Sequence, residues 1–309
     1  MRALARASAL MGRERDGVRR PAHDNRTAGI ILLVISVFLF TLMDATGKYL
    51  TAKHYDPGQI VWGRMVVNMA VILLIFGPRL RTVARSASPW LQVGRGLTQL
   101  GSIAMFFTAL QYIGLAEATA IMDINPVLIT LGAALFLGER IGPRRAIGIA
   151  VALMGAMIII RPGAGVFQPA AVLPLIGAFF YAGGALMTRL VRGDSTATSI
   201  LWSTTVATIC VSFYVPFVWQ PIALGDLWAF VLMGLLGTGA QALLIRAFSM
   251  TEASVVAPFG YTGLIWATLW GWLFFDNIPD LATIVGAVII VCAGIYVWAR
   301  ERKIPHSAA

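Results

Sequence analysis

The sequence predicts an all-α integral membrane protein with ten transmembrane helices arranged as an inverted 5+5 repeat. Three observations lead there. The 309-residue chain is 58% hydrophobic and only 12% charged, with a mean hydropathy of +0.79. A soluble domain carries about 25% charged residues, so this chain cannot cover a water-facing surface. Ten continuous apolar runs are readable, near 28–50, 57–76, 90–111, 115–137, 144–160, 170–191, 197–219, 227–246, 252–274 and 281–299. Each is close to the roughly 20 residues a helix needs to cross hydrocarbon, and their continuity excludes the alternating strands of a β-barrel.

The third observation is an internal repeat. Shifting the stretch 95–160 by 138 positions, without a gap, aligns Gly96 with Gly234, Gly101 with Gly239, Ala109 with Ala247, Thr130 with Thr268, Phe136 with Phe274 and Gly148 with Gly286. Chance identity in an apolar chain is the alternative, but the apolar runs and polar breaks of the two copies also coincide. Five spans precede the loop at 161–169 and five follow it. An odd number per copy makes the second enter from the opposite side, a plan that many secondary transporters use.

Charge sets the expected topology. With the N-terminus in the cytoplasm, 20 Lys and Arg fall on the cytoplasmic side and only Lys53 and Arg161 on the other, while Lys48 and Arg64 lie within spans. This positive-inside bias places both termini in the cytoplasm and accounts for the net charge of +10 without a nucleic-acid partner. The expected organisation is a basic, disordered tail at 1–27, a first repeat at 28–160, a second at 170–299 and a short cytoplasmic tail at 300–309. The first apolar run lacks a small-residue cleavage site and reads as an anchor rather than a signal peptide; a start at Met11 explains the tail equally well. Cys210 and Cys292 sit in apolar spans and form no disulfide or metal pattern.

Taken in order, the first span matches the sixth, Phe40–Leu50 reading like Tyr181–Val191 with Lys48 against Arg189. Both cations can snorkel to headgroups. Loops such as Ile113–Gly114 and Met250–Thr251 are short. In the fifth span Gly148, Ala152 and Ala156 recur every four residues and permit close helix contact, within the chain or across a dimer.

These residues resemble the drug/metabolite transporter superfamily, in particular its EamA-type ten-helix members. The resemblance rests on Leu137-Gly138-Glu139-Arg140-Ile141 with Gly148 following, on its degenerate copy Phe275-Asp276-Asn277-Ile278-Pro279 with Gly286, on Arg95-Gly96, and on the hairpins around Ala109–Ala120 and Arg246–Pro258. It covers about 28–300. It implies a bacterial-type inner (plasma) membrane, a cavity lined by spans 3, 4, 8 and 9, and spans 1, 2, 6 and 7 rocking around it.

Charged groups inside a span cost several kcal/mol unless paired or wet, which makes them functional candidates. Asp44 and Lys48, four apart with the acid first, suit an ion pair. With Arg64, about 10 Å into its span, and Glu117 they can form a gating or coupling cluster, or a static set that fixes packing. Asp123 lies about 12 Å deep, near the midplane, followed by Asn125 and by Pro126, which frees a backbone carbonyl. A carboxyl, an amide and a loose carbonyl together suit a substrate amine, a ring nitrogen or a proton; the alternative is a buried Asp bonded to a neighbouring helix. The second copy carries Pro258 and Tyr261 there, without an acid. Gln99, Gln241 and Asn68 add hydrogen-bonding capacity. Trp62, Trp202, Phe106, Phe107, Tyr112, Tyr181, Phe259, Tyr261 and Trp266 are candidate walls, although most membrane aromatics are packing or interface anchors.

The functional expectation is a secondary transporter of a small organic metabolite, without a cofactor, with the bilayer and substrate as partners and a proton as candidate coupling ion. Monomer and homodimer stay open. No Walker-type loop is present. The run Arg246–Pro258 leans the resemblance towards uptake of a flat cofactor-like solute of the riboflavin or S-adenosylmethionine type; export of amino acids or drugs is the alternative. A membrane-embedded enzyme would need an intramembrane motif of paired Asp, of His and Glu, or of Ser and Lys. The three histidines, His23, His54 and His306, all fall in tails or loops. A sensor subunit would need a soluble output domain.

Overall fold

A computed structural model describes residues 26–137, 142–161, 169–191, 194–251 and 253–301. Residues 1–25 and 302–309 of the expected tails, most of the Leu137–Ile141 motif, Arg192 and Glu252 therefore lie outside the described residues, as does the side chain of Arg189; the rest of each tail, 26–27 and 300–301, is helical. Ten helical spans follow in order: α1 (Arg26–Ala52), α2 (Pro57–Phe76), α3 (Pro89–Ala109), α4 in two pieces (Leu115–Met122 and Asn125–Leu137), α5 (Pro143–Ile160), α6 (Val172–Leu190), α7 (Thr196–Val218), α8 (Leu227–Met250), α9 in two pieces (Ala253–Val256 and Thr262–Phe275) and α10 (Leu281–Glu301). Their starts follow local chemistry. Asp56 caps α2 by accepting the Gly58 N–H, with Pro57 in the first turn, and Ser195 caps α7 through Thr198, each satisfying an otherwise orphaned donor.

Seven of these helices are long and apolar enough on their own to cross a membrane. The other three depart for visible reasons. Gln92, Arg95, Thr98, Gln99 and Ser102 make α3 polar, α5 is apolar only over Ala146–Ile160, and a 3₁₀ turn at Ala257–Tyr261 splits α9.

The halves pack as an exchanged pair. Helix α1 lies on α8 and α9, and its counterpart α6 lies on α3 and α4; α2 touches α8 as α7 touches α3; α2 pairs with α7 and α5 with α10. Lys48, near the end of α1, donates to the carbonyls of Leu110 and Ile113 at the α3–α4 turn. Ala171, just before α6, shares a cavity with Glu117 of the first turn of α4. Hence α6 starts at the end of the bundle where α1 finishes, and the halves are inverted. That end carries Asp56, Glu117, Asp226 and Asp280 and is called the acidic end below. The other carries Arg79, Arg81, Arg85 and Arg95 and is called the basic end.

The small-residue stripe of α5 is used inside the chain. Ala152 and Ala156 are buried against α10, and a Cβ built on Gly286 would come within 2.6 Å of the Gly155 carbonyl and 2.5 Å of Ile159 Cγ1. A Gly286→Leu substitution is therefore expected to cost about 1–3 kcal/mol of overpacking strain, read as a lowered Tm in detergent. Gly239→Ala, whose Cβ would meet nothing within 4 Å, should hold or raise it.

At the basic end Asp194 accepts from the Ser86 hydroxyl, the Ala87 N–H (2.7 Å) and Gln92 Nε2 (2.8 Å). These bonds, Ser86 first, hold its carboxyl below the usual value of 3.8. Folding then favours the ionised form, so this contribution is complete above pH 3.8 and disappears as pH falls through the lower folded value. Asp194→Asn should lower Tm at neutral pH, and the difference from wild type should shrink below about pH 4.

Candidate functional site

Two broken helices meet inside the bundle. In α4 the helix stops at Asp123 and restarts at Asn125 with Pro126 in its first turn, because proline has no N–H to give to the Met122 carbonyl one turn earlier. Along the break, Thr119 Oγ1, Asp123 Oδ2 and Asn125 Oδ1 are enclosed without a hydrogen-bond partner. From α9 the Tyr261 hydroxyl, also unpartnered, lies within Coulombic reach of the Asp123 carboxyl. It occupies the space left by Gly294 of α10. The 138-residue shift that relates the repeats carries position 123 onto 261, so Asp123 and Tyr261 occupy equivalent places in the two halves. Buried polar atoms are normally paired, and an unpaired one costs roughly 1–3 kcal/mol. Four of them at one locus leave hydrogen-bonding capacity for a guest.

The four charged residues expected to form one cluster divide into two. Asp44 couples electrostatically to Arg64, yet no N–O contact within 4.0 Å joins them. Arg64 Nε is enclosed and unpartnered, beside Gly237 of α8, whose missing Cβ would sit 3.5 Å away. Lys48 does not pair with Asp44. It binds the Leu110 carbonyl at 2.9 Å and the Ile113 carbonyl at 2.7 Å, stopping the C-terminus of α3, and stands over the Phe275 ring. The orphan carbonyls of a helix end compete well for an ammonium group. Glu117, in the first turn of α4, faces the Gly114 N–H, Arg161, Asp280 and Lys48.

Polar ties close both ends. At the acidic end Asp226 accepts from the hydroxyls of Tyr49 and Tyr55, each at 3.0 Å, with Lys53 at 3.9 Å. Gln59 and the Gln220 backbone exchange two hydrogen bonds. Arg161, in left-handed conformation, pairs with Asp280 beside a cavity of about 280 Å³. Asp280 is held below the usual carboxylate range by the Thr283 N–H and then by Arg161. At the basic end Arg95 binds the Ser199 carbonyl, Ser203 Oγ (3.1 Å) and Gln92 Oε1 (3.3 Å).

Other candidates stand apart from the Asp123 locus. The Trp62 indole donates to Ser212 at 3.1 Å and meets Trp219 edge to face. Trp202 donates to the Ala84 carbonyl in the α2–α3 connection at 3.0 Å, so one tryptophan ties α2 to α7 and the other ties α7 to the connection that follows α2. Asn68 accepts from Thr238. Phe106 is buried against Phe107, which fills the space at Gly47. Gln99 and Tyr181 are exposed and Gln241 is half-buried. Sequence reasoning missed Phe38 and Trp270. Phe38 meets both Trp266 and Trp270 edge to face, and Trp270 stacks on Phe274 and donates to Thr41. Their signal was weak, since aromatics are common throughout the chain. Among the described residues no group of three His, Cys, Asp or Glu is placed to hold a metal.

This arrangement has known counterparts. A pseudopaline exporter of Pseudomonas aeruginosa is 32% identical over 87% of this chain and 95% of its own length. A riboflavin transporter of Rhizobium johnstonii is 29% identical over 89% and 92%, and an S-adenosylmethionine uptake transporter of Rickettsia bellii is 24% identical over 89% and 94%. A solved crystal structure superposes with a TM-score of 0.58 at 20% identity, covering 91% of this chain and all of the other, which shows a shared fold. The sequence model of the EamA-like transporter family matches residues 27–161 and 168–299. The chain, a multi-pass membrane transporter and not an enzyme, belongs to the EamA-like transporter family.

Proposed function

We propose that this transporter moves a small organic solute by alternating access and holds it at the α4 and α9 breaks, with Asp123 as the anchor. The observation that carries the reading is the set of four unpartnered polar atoms from Thr119, Asp123, Asn125 and Tyr261. A solute nitrogen bearing a proton is the complement of a carboxylate in such a place, because a charge-assisted hydrogen bond is stronger where protein encloses it than in bulk water. Export is the first reading, favoured by the 32% identity to a pseudopaline exporter. Uptake of a flat solute is the second. It is favoured by the aromatic cluster of Phe38, Trp266 and Trp270 on α1 and α9 and by the 29% identity to a riboflavin transporter. In both readings the basic end faces the cytoplasm, as the positive-inside bias requires. A proton is the coupling ion in this reading, because the Asp123 carboxyl can carry one and its enclosed Oδ2 has no hydrogen-bond partner.

The test is uptake and efflux of labelled pseudopaline, riboflavin and S-adenosylmethionine in proteoliposomes, with and without a pH gradient. Saturable, gradient-dependent transport of one solute is expected. Asp123→Asn should lower it ten- to a hundredfold, roughly the worth of one charge-assisted hydrogen bond, about 1.5–3 kcal/mol. Transport untouched by Asp123→Asn would remove Asp123 from the pathway, and indifference to the gradient would remove the proton.

A further inference from the structure

Besides Asp123, Arg64 and Asp44 are charged groups at the same depth without a close partner among the described residues, and Arg64 is the cation of the three. Arg64 stands seven residues into α2 from Pro57, and Asp123 eight residues into α4 from Leu115; both helices start at the acidic end. At 1.5 Å per residue each lies about 10–12 Å below it. Asp44, eight residues before the end of α1 at Ala52, is at the same level. Gly47 and Lys48, which share a helix face with Asp44, meet Phe107 and the α3–α4 turn, so this face of α1 looks into the bundle. The terminal nitrogens of Arg64 make no hydrogen bond and are not enclosed, unlike its Nε. A guanidinium in hydrocarbon is expensive unless paired or in a wet cavity, and its planar fork matches a carboxylate.

We infer that Arg64 and Asp123 are the two poles of one substrate cavity, and that the solute is a zwitterion derived from an amino acid. Its carboxylate lies on Arg64 and its cationic nitrogen on Asp123. With Asp44 the cavity holds one fixed cation and two fixed anions, a net charge of −1, so a solute with one carboxylate and two cationic centres neutralises it, and a solute with one of each does so when one of the two carboxyls carries a proton. This deepens the proposed function and rests on Asp123 being the anchor.

The test titrates the full chain in lipid nanodiscs with amino acids, N-(carboxyalkyl)amino acids, S-adenosylmethionine and riboflavin, then with the methyl ester of every binder that has a carboxylate. A zwitterion is expected to bind, with its ester at least tenfold weaker. In Arg64→Gln the acid should weaken to the level of the ester and the ester should be unchanged, while Arg64→Lys recovers part of the loss. Tm values matched to wild type keep the comparison about binding. The inference is overturned if acid and ester bind alike, if no zwitterion binds at millimolar concentration, or if riboflavin alone binds. An effect of Asp123→Asn with none of Arg64→Gln would sink this inference and leave the anchor standing. No effect of Asp123→Asn would sink the anchor itself.

Discussion

Hydrocarbon offers no hydrogen bonds, so backbone that leaves the helical ladder within a membrane is tolerated only against protein or a water-filled cavity. The breaks of α4 at Asp123–Ile124 and of α9 at Ala257–Tyr261 are such backbone, and the remaining architecture shelters them. Helix α1 lies across α9, and α6 across α4, while Lys48 secures the turn from which α4 departs. The unpartnered atoms gather at the break in α4 and at Tyr261 opposite it because both stretches face inward.

The two halves supply a common frame and depart from it where chemistry is needed. At the acidic end the α1–α2 corner is tied to the α7–α8 corner through Tyr55, Gln59, Gln220 and Asp226. At the basic end the equivalent corners are tied through Ser86, Gln92 and Asp194. The ties occupy matching places with different side chains, as separate closures at two ends require. Inside, the symmetry is broken outright: Asp123 is answered by Tyr261, and Arg64 by Thr204 once Trp62 is laid on Trp202. The interior is thus asymmetric in charge although symmetric in path, which lets a cavity orient a polar solute.

Much of this was legible in the chain itself. Apolar run lengths and the 138-residue repeat identify ten spans and their inversion, because burial in lipid imposes both on composition. The break at Asp123 is legible because Pro126 enforces it. Partner choice was not legible. The spacing of Asp44 and Lys48 favours an ion pair, but orphan carbonyls at the end of α3 capture the ammonium group, and only the packing of α1 on α3 brings them there. Trp62 and Trp202 were visible as matched aromatics, yet their indole N–H groups are engaged by Ser212 and Ala84, contacts separated by more than a hundred residues. The Arg161–Asp280 pair joins loops of different halves and leaves no local signature.

The central claim is that the α4 break lines a wet cavity and not a dry helix contact. It is tested most directly by placing one thiol at the break in a background carrying Cys210→Ala and Cys292→Ala. Only the thiolate reacts with a membrane-impermeant methanethiosulfonate, and it forms only where water reaches. Asn125→Cys should react, while Val288→Cys, on the exposed face of α10, should not. An Asn125→Cys protein as inert as Val288→Cys would contradict the account.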